Sequence, residues 1–479
     1  MAIPNKLLKN FVTLFAGNIT GQFFFFVGLA YLARILGPSG FGAWNFAQVL
    51  MLYLLRVGEF GLEVIGIRET SRNPNTVSSW IATVISVRFV LALLLFGFTL
   101  LVSISNLFPV GTSSLVLISA LAVFPMAVML EWVLEARQEV GIISIARILK
   151  GLLFFLGVFW MVSSSADADS AAYLYVASLT LPGLIIFSMI VTRFGFDWTS
   201  LSIRRCLDAL GKSAPIGIAT LLSQYSLSLA TIVIGYFLSK EELGFFTAAH
   251  RVVLFLWAYI ITSMHRILLP SLSRSFHESL LQYQRFVGRF FRLSALAAIP
   301  IGLVGTLCAT PLMKLLYSDR YEASGAVFGI LLWGFVFATI RSILEIALIA
   351  SDRQRRYMKG MVFLSAAYTL LTPILTLQFG ITGAAVAVVV SELSYFGFLM
   401  VSSPYSDPAS LVKNFWKPAV AAMIAMAPLL PFTEVHPVLR VAFGSAVFGA
   451  IVVALKGVTL EDFELIRSLF RRDSLEPSI

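Results

Sequence analysis

The chain has 479 residues, of which 58% are hydrophobic and 13% charged, with a formal net charge of +10 and a mean hydropathy of +0.90. That composition excludes a soluble globular domain and describes a chain made mostly of membrane spans. Two cysteines, Cys206 in a basic loop and Cys308 in an apolar run, exclude a disulfide framework and a thiolate metal site.

A window of roughly 20 residues, the length that crosses about 30 Å of hydrocarbon, finds about fourteen apolar runs in chain order. They centre on 11–34, 42–67, 80–104, 114–134, 143–163, 171–192, 214–238, 243–269, 291–313, 325–350, 360–378, 383–401, 416–431 and 437–455. The first run follows "NKLLKN" and ends in "LARILGPSG" with no small-residue cleavage site, so it is expected to be a retained span rather than a signal peptide. Alternate connections are basic, among them Arg68 and Arg72, then Arg137, Arg147 and Lys150, and the Arg353 to Lys359 stretch. The other set, including "NLFPVGT", "SSSADADS" and "LQFGITG", holds few cations. Positive charge retained on the cytoplasmic side then places both termini in the cytoplasm. The same asymmetry accounts for the basic balance without any nucleic-acid partner.

Sliding the chain on itself by 202 residues superposes 18–72 on 220–274, placing Gln22 on Gln224, Gly42 on Gly244 and Ser71-Arg72 on Ser273-Arg274. The expected fold class is therefore an all-α integral membrane protein of about 14 transmembrane helices. It comprises two six-helix parallel-repeat bundles, 1–205 and 206–410, and an additional helix pair with a cytoplasmic amphipathic tail over 411–479. Parallel repeats related by an axis along the membrane normal are the architecture of alternating-access transporters, with the site expected between the halves.

Charged side chains inside spans are expensive and mark functional interiors or mutual pairing. Arg56, with Glu59 and Glu63 at i+3 and i+7, is expected on one face of the second span, and Arg88 lies in the third. In the eighth, Arg251, Thr262 and His265/Arg266 form a stripe about 22 Å long at 1.5 Å per residue. Asn18 and Gln22 in the first span and Thr220, Gln224 and Thr231 in the seventh are its polar counterparts. Arg341 and Glu345, at i and i+4, are expected to pair within one helix. Arg266 is expected to snorkel to the headgroups. Glu131, Glu135 and Glu392 are read as packing partners, with Glu59, Glu63, Glu131 and Glu392 as candidates for ion coupling.

Four stretches carry a resemblance. "LARILGPSGFGAWNFAQ", "GEFGLEVIGIRETSR", "LSKEELGFFTAAHRVV" and "ILLPSLSRS" resemble the polysaccharide-transport branch of the multidrug/oligosaccharidyl-lipid/polysaccharide exporter superfamily, the lipid-linked oligosaccharide or O-antigen flippases. The resemblance covers roughly the first 400 residues. It implies a flippase moving a polyprenyl-pyrophosphate-linked oligosaccharide to the outer leaflet of a bacterial cytoplasmic (inner) membrane. Its implied partners are that substrate, membrane lipids and other polysaccharide-assembly proteins; no cofactor and no metal are implied. In the related lipid II flippases an arginine stands at the position matching Arg251, and another follows a "LL" pair as Arg56 does here. Both are implied pyrophosphate contacts, although the acidic and glycine residues after Arg56 do not keep the same spacing. The candidate substrate-binding set is Arg251, Arg56, Arg88, Gln22, Asn18 and Gln224. The last two spans resemble the tail-binding pair of the lipid II flippases.

Guanidinium forks suit phosphate oxygens, and amides and hydroxyls suit sugars. Catalytic motifs fail. "CLDALGKS" (206–213) has Cys206 where a phosphate loop needs its first glycine, "HESLL" lacks the second histidine of a zinc protease, and "DAD" (167–169) sits in a short serine-rich loop. Two other functions stay open. A multidrug cation antiporter would want a cavity of carboxylates and aromatics, and a membrane glycan polymerase or ligase would want a long external loop.

Overall fold

The computed structural model describes residues 5–199 and 201–402, Phe443 and residues 446–451, and every regular element among them is helical. The expected thirteenth span, most of the fourteenth and the amphipathic tail lie outside the described residues. Each of the first twelve expected spans falls on a helix. Nine described segments are long and apolar enough to cross a membrane, and the chain is a multi-pass membrane protein.

Two compact units divide the chain, Met1–Gly244 and Phe245–Ile479. The boundary expected from the sequence repeat is 205/206. The seventh-span helix α9 (Ile203–Phe237) packs against α1 (Asn5–Glu59), α2 (Leu62–Arg72) and α3 (Val77–Ile104). Packing in one conformation and duplication of sequence need not share a boundary.

In the first unit, α1 is two helices meeting at Gly37, whose φ of 67° ends the first expected span at the "LGPSG" stretch. The second expected span, 42–67, is itself broken. Phe60 and Gly61 both have positive φ, 40° and 74°, so α1 stops at Glu59 and α2 restarts at Leu62. The fourth span is three short helices, α4 (Ser113–Ala120), α5 (Val123–Ala127) and α6 (Glu131–Ala136). Then α7 (Val140–Met161) lies along α1, and α8 (Ala168–Phe194) packs on α7 and α4. A buried core of Leu62, Ile65, Trp80, Ile81, Val84, Trp132, Val133 and Ile186 joins α2, α3, α6 and α8.

The 202-residue offset reappears as a physical contact. A Cβ on Gly42 would collide with the carbonyl oxygen of Lys240, and a Cβ on Gly244 with the carbonyl oxygen of Pro38. Pro38 and Lys240 are one offset apart (240 − 38 = 202), as are Gly42 and Gly244. The contact is reciprocal, as at an isologous interface between two copies. Backbones can approach this closely only because neither position carries a side chain.

The second unit continues from α10 (Lys240–Glu278), which begins just before the division, through α11 (Leu280–Leu307) and α12 (Ala309–Tyr317). Helix α13 (Ser324–Ala350) is its centre: 83% of its span window is buried, and it packs against α11, α12 and α14 (Gln354–Ser402). Helix α14 is again two helices, meeting at Gly380 with φ 61° in the expected "LQFGITG" connection.

Candidate functional site

Membrane helices can break only where the freed backbone groups find partners, because an unsatisfied group in hydrocarbon costs several kcal/mol. In the first unit the breaks in the second and fourth spans meet on Arg88. Its side chain is fully buried. Nη1 donates to the Met129 carbonyl, at 2.9 Å, in the gap between α5 and α6, and Nη2 donates to Glu63 Oε1, at 2.9 Å, in the first turn of α2. One guanidinium thus ties both breaks together. Arg88 was expected among the ligand contacts; here both its terminal nitrogens are already engaged by the protein.

Arg56 sits in the last turn of α1 and pairs with Glu59 at 2.9 Å, while its side chain stays 44% exposed. The expected single face of Arg56, Glu59 and Glu63 does not continue to Glu63. The break at Phe60–Gly61 interrupts the helical register between the two glutamates. Gly61 is needed there: it takes a left-handed φ while a Cβ would stand 3.0 Å from the Gly217 nitrogen of α9.

Asn18 is not a free polar group. Its side-chain oxygen accepts from Arg147 Nη1 at 2.7 Å, and Arg147 Nη2 reaches Glu131 at 3.2 Å and Glu135 at 3.5 Å. Arg147 was read from sequence only as part of a basic connection. It lies seven residues beyond Val140, the first residue of α7, about 10 Å along the helix, far enough to act inside the bundle. The result is a polar cluster of Arg56, Arg88, Arg147, Glu59, Glu63, Glu131, Glu135 and Asn18, built where two spans are discontinuous. Gln22 is exposed on α1. Gln224 donates to Ser228 at 2.7 Å within α9. Thr220 bonds the Ile216 carbonyl, and Thr231 is buried.

In the second unit, Arg251 is half-buried on α10. Its charge acts on the neighbouring His250 and on Tyr317, which is fully buried at the end of α12. The side chains of Thr262 and Arg266 lie outside the described residues. Arg341 does pair with Glu345, at 2.6 Å, and also with Glu392 of α14, which the spacing alone did not reveal.

Residues 7–276 match the family described as polysaccharide biosynthesis protein. The chain belongs to that family. More finely, it is a member of the polysaccharide-transport branch of the exporter superfamily, a group of transporters rather than enzymes. Among curated relatives, the probable low-salt glycan biosynthesis flippase Agl15 of Haloferax volcanii is 22% identical over 80% of this chain and 81% of its own. A putative O-antigen transporter of Escherichia coli strain K12 is 24% identical over 46% of this chain and 54% of its own. Among solved structures, the inward closed conformation of the lipid II flippase MurJ superposes with a TM-score of 0.76 and 15% identity, covering 97% of this chain and all of that one. An inward-facing multidrug resistance MATE family transporter gives 0.63 at 15% identity, covering 82% of this chain and 96% of that one. At these identities the structures establish the fold shared by flippases and multidrug exporters.

Proposed function

We propose that this member of the polysaccharide biosynthesis family is a flippase that carries a polyprenyl-pyrophosphate-linked oligosaccharide from the cytoplasmic to the outer leaflet by alternating access. The relatives' names, a glycan biosynthesis flippase and an O-antigen transporter, support a glycan as cargo. The observation that carries the reading is Arg56: an arginine in an apolar span, beside a helix break, with nearly half its side chain open. Its partner Glu59 forms an exposed local pair of the kind that contributes little, so an incoming phosphate can take its place on the guanidinium. The candidate pyrophosphate contacts are Arg56 in the first unit and Arg251 in the second, each taken by itself, the glycan is met by amides and hydroxyls such as Gln22 and Gln224, and the polyprenyl tail remains in lipid. The chain sits in the inner membrane of a bacterium with both termini in the cytoplasm, alongside other polysaccharide-assembly proteins.

The test is translocation of lipid-linked oligosaccharide in vesicles, read by lectin accessibility. Removing a charge-assisted hydrogen-bonding partner costs about 1.5–3 kcal/mol, so Arg251→Ala and Arg56→Ala should each slow translocation about 10- to 100-fold. Unchanged rates in both variants would refute the assignment. A cation antiporter on the same fold predicts that the wild type binds organic cations and ignores pyrophosphate lipids, which the same vesicles measure.

A further inference from the structure

Helix α9 is longer than a membrane is thick. Its 35 residues span about 50 Å at 1.5 Å per residue, against about 30 Å of hydrocarbon, so one end must stand in the headgroup layer or beyond it. The first turns are that end, because Arg204, Arg205, Asp208 and Lys212 lie there while the last turns, "IVIGYF", hold no charge. Trp198, just ahead of them, is exposed and stacks on Phe196, as suits aromatic side chains at the level of the headgroups.

Beside these turns α9 and α3 leave a groove open. Its volume is about 450 Å³, inside the range of roughly 300–1,000 Å³ for small-molecule sites. Val87 and Leu91 of α3 and Cys206 and Leu210 of α9 line it as buried or half-buried side chains. Val90, Ile203 and Leu207 line it too and are 56%, 81% and 62% exposed. Ile203, Cys206, Leu207 and Leu210 keep the i, i+3, i+4, i+7 spacing of one helical stripe, so the α9 wall is apolar along its length. The polar side chains of the lining are two hydroxyls, Ser86 and Ser202.

The headgroup end of the groove is cationic. Residues 193–212 carry Arg193, Arg204, Arg205 and Lys212 against Asp197 and Asp208. Asp208 is taken by Lys212 at 2.8 Å, and Arg193 is taken by Glu139 at 2.6 Å. Asp197 accepts from the Thr199 hydroxyl. Arg205 donates to the Ser79 hydroxyl at 2.7 Å and stands 5.8 Å from the centre of the Trp80 ring; these partners are uncharged and leave its charge uncompensated. Arg204, beside Ile203 and within one turn of Leu207, is exposed and makes no ion pair among the described residues.

An apolar trough with cations at its headgroup end fits an anionic phospholipid, whose acyl chain and phosphate are joined in that order from hydrocarbon to water. Each arginine at a membrane surface adds to the attraction for such lipids. A partner helix, about 10 Å across, would bridge the mouth of the groove without filling it. Phe448 and Ile451, from the last expected span, pack on Leu296 of α11 in the second unit instead. We propose that the α3–α9 groove binds one anionic phospholipid of the leaflet that Arg204 and Arg205 border. One acyl chain lies against Leu91 and Leu207, and the phosphate meets the two guanidinium groups. The site rests on the chain's spanning a membrane and not on the identity of its cargo.

The test uses the full chain in phosphatidylcholine nanodiscs that hold a trace of phosphatidylglycerol with a photoreactive acyl chain, and the labelled peptides are mapped by mass spectrometry. In the wild type the label should concentrate on residues 86–91 and 201–210. Unlabelled phosphatidylglycerol should compete it away, and added phosphatidylcholine should not. Arg204→Gln, which removes one surface cation, should raise the phosphatidylglycerol needed for half-maximal labelling about fivefold. Leu207→Trp, at an exposed position where the fold tolerates bulk, should fill the groove and displace the label. Label spread as heavily over Phe98 and Leu101, exposed farther along α3, as over the groove overturns the proposal. So does equal competition by the two lipids, or labelling of wild-type strength in both variants. Displacement by a polyprenyl pyrophosphate at lower concentration than by phosphatidylglycerol also overturns it, and would give the groove to the cargo.

Discussion

Replacing Arg88 by methionine separates a latch from a ligand contact. Methionine fills a similar volume without polar atoms, so the substitution leaves little cavity. It strands the Met129 carbonyl in the gap between α5 and α6, which costs about 1–3 kcal/mol if no water reaches it. The ion pair counts for less, because Glu63 is 39% exposed and water can replace its partner, leaving about 0.2–1 kcal/mol. Relief from burying a guanidinium offsets part of the sum, and a net loss of about 1–3 kcal/mol is expected. Equilibrium unfolding in mixed micelles measures it. A double-mutant cycle with Glu63→Gln should return a coupling of about 0.5–1 kcal/mol, the range measured for polar pairs between membrane helices. An unfolding midpoint unchanged in Arg88→Met, together with lost affinity for pyrophosphate lipid, would refute the latch and restore Arg88 to the ligand contacts.

The reciprocal contact predicts that Gly42→Ala and Gly244→Ala destabilise by similar amounts, about 1–3 kcal/mol as overpacking usually costs; unequal unfolding midpoints would break the two-fold relation. Arg147→Ala should lower stability by releasing Asn18, Glu131 and Glu135 together, and adding Glu131→Gln should recover part of the loss, which the same unfolding measurement reads. In the loop before α8, the backbone N–H groups of Ser163 and Ser164 donate to Asp167 and hold its carboxyl below the ordinary value of 3.8. A lowered folded value means that this stabilisation is present above pH 3.8 and disappears as pH falls through the folded value. The protection of the Ser163 and Ser164 amides, taken relative to the intrinsic exchange rate at each pH, should therefore fall in acid, and Asp167→Asn should remove that change in protection.

The spans through residue 401 were legible because a helix in lipid must be apolar along its whole length, so hydropathy marks both its presence and its extent. The connections at Gly37 and Gly380 were legible for the same reason. The internal breaks were not. Phe60–Gly61 and Val128–Leu130 lie within apolar text, and Arg88, which bonds the Met129 carbonyl in one break and the Glu63 side chain just past the other, is far from both in sequence and adjacent only in space. Arg147 was misread because a window average assigns a cation near the end of a run to the neighbouring loop. The Arg341–Glu345 pair followed from i, i+4 spacing. Glu392, 51 residues from Arg341, could not follow from any local rule.

The ion pairs of the first unit constrain how any phosphate could be held. Arg56, Arg88 and Arg147 face Glu59, Glu63, Glu131 and Glu135, so the cluster carries a formal −1 and would, as it stands, repel a pyrophosphate. An anion gains entry only if a guanidinium leaves its carboxylate. Arg56 is the one placed to do so, since its pair with Glu59 is exposed and local and such pairs contribute little, about 0–1 kcal/mol. Arg88 is buried with two partners and has no comparable freedom. A site whose arginine is held by an internal carboxylate binds phosphate less tightly than a bare arginine would, and it also supplies the means of release, because Glu59 competes for Arg56 once the surroundings change. Transport needs that difference in affinity between states. Glu59→Gln should accordingly tighten binding of the pyrophosphate lipid while slowing its translocation; tighter binding with faster translocation would show that the carboxylate plays no part in release.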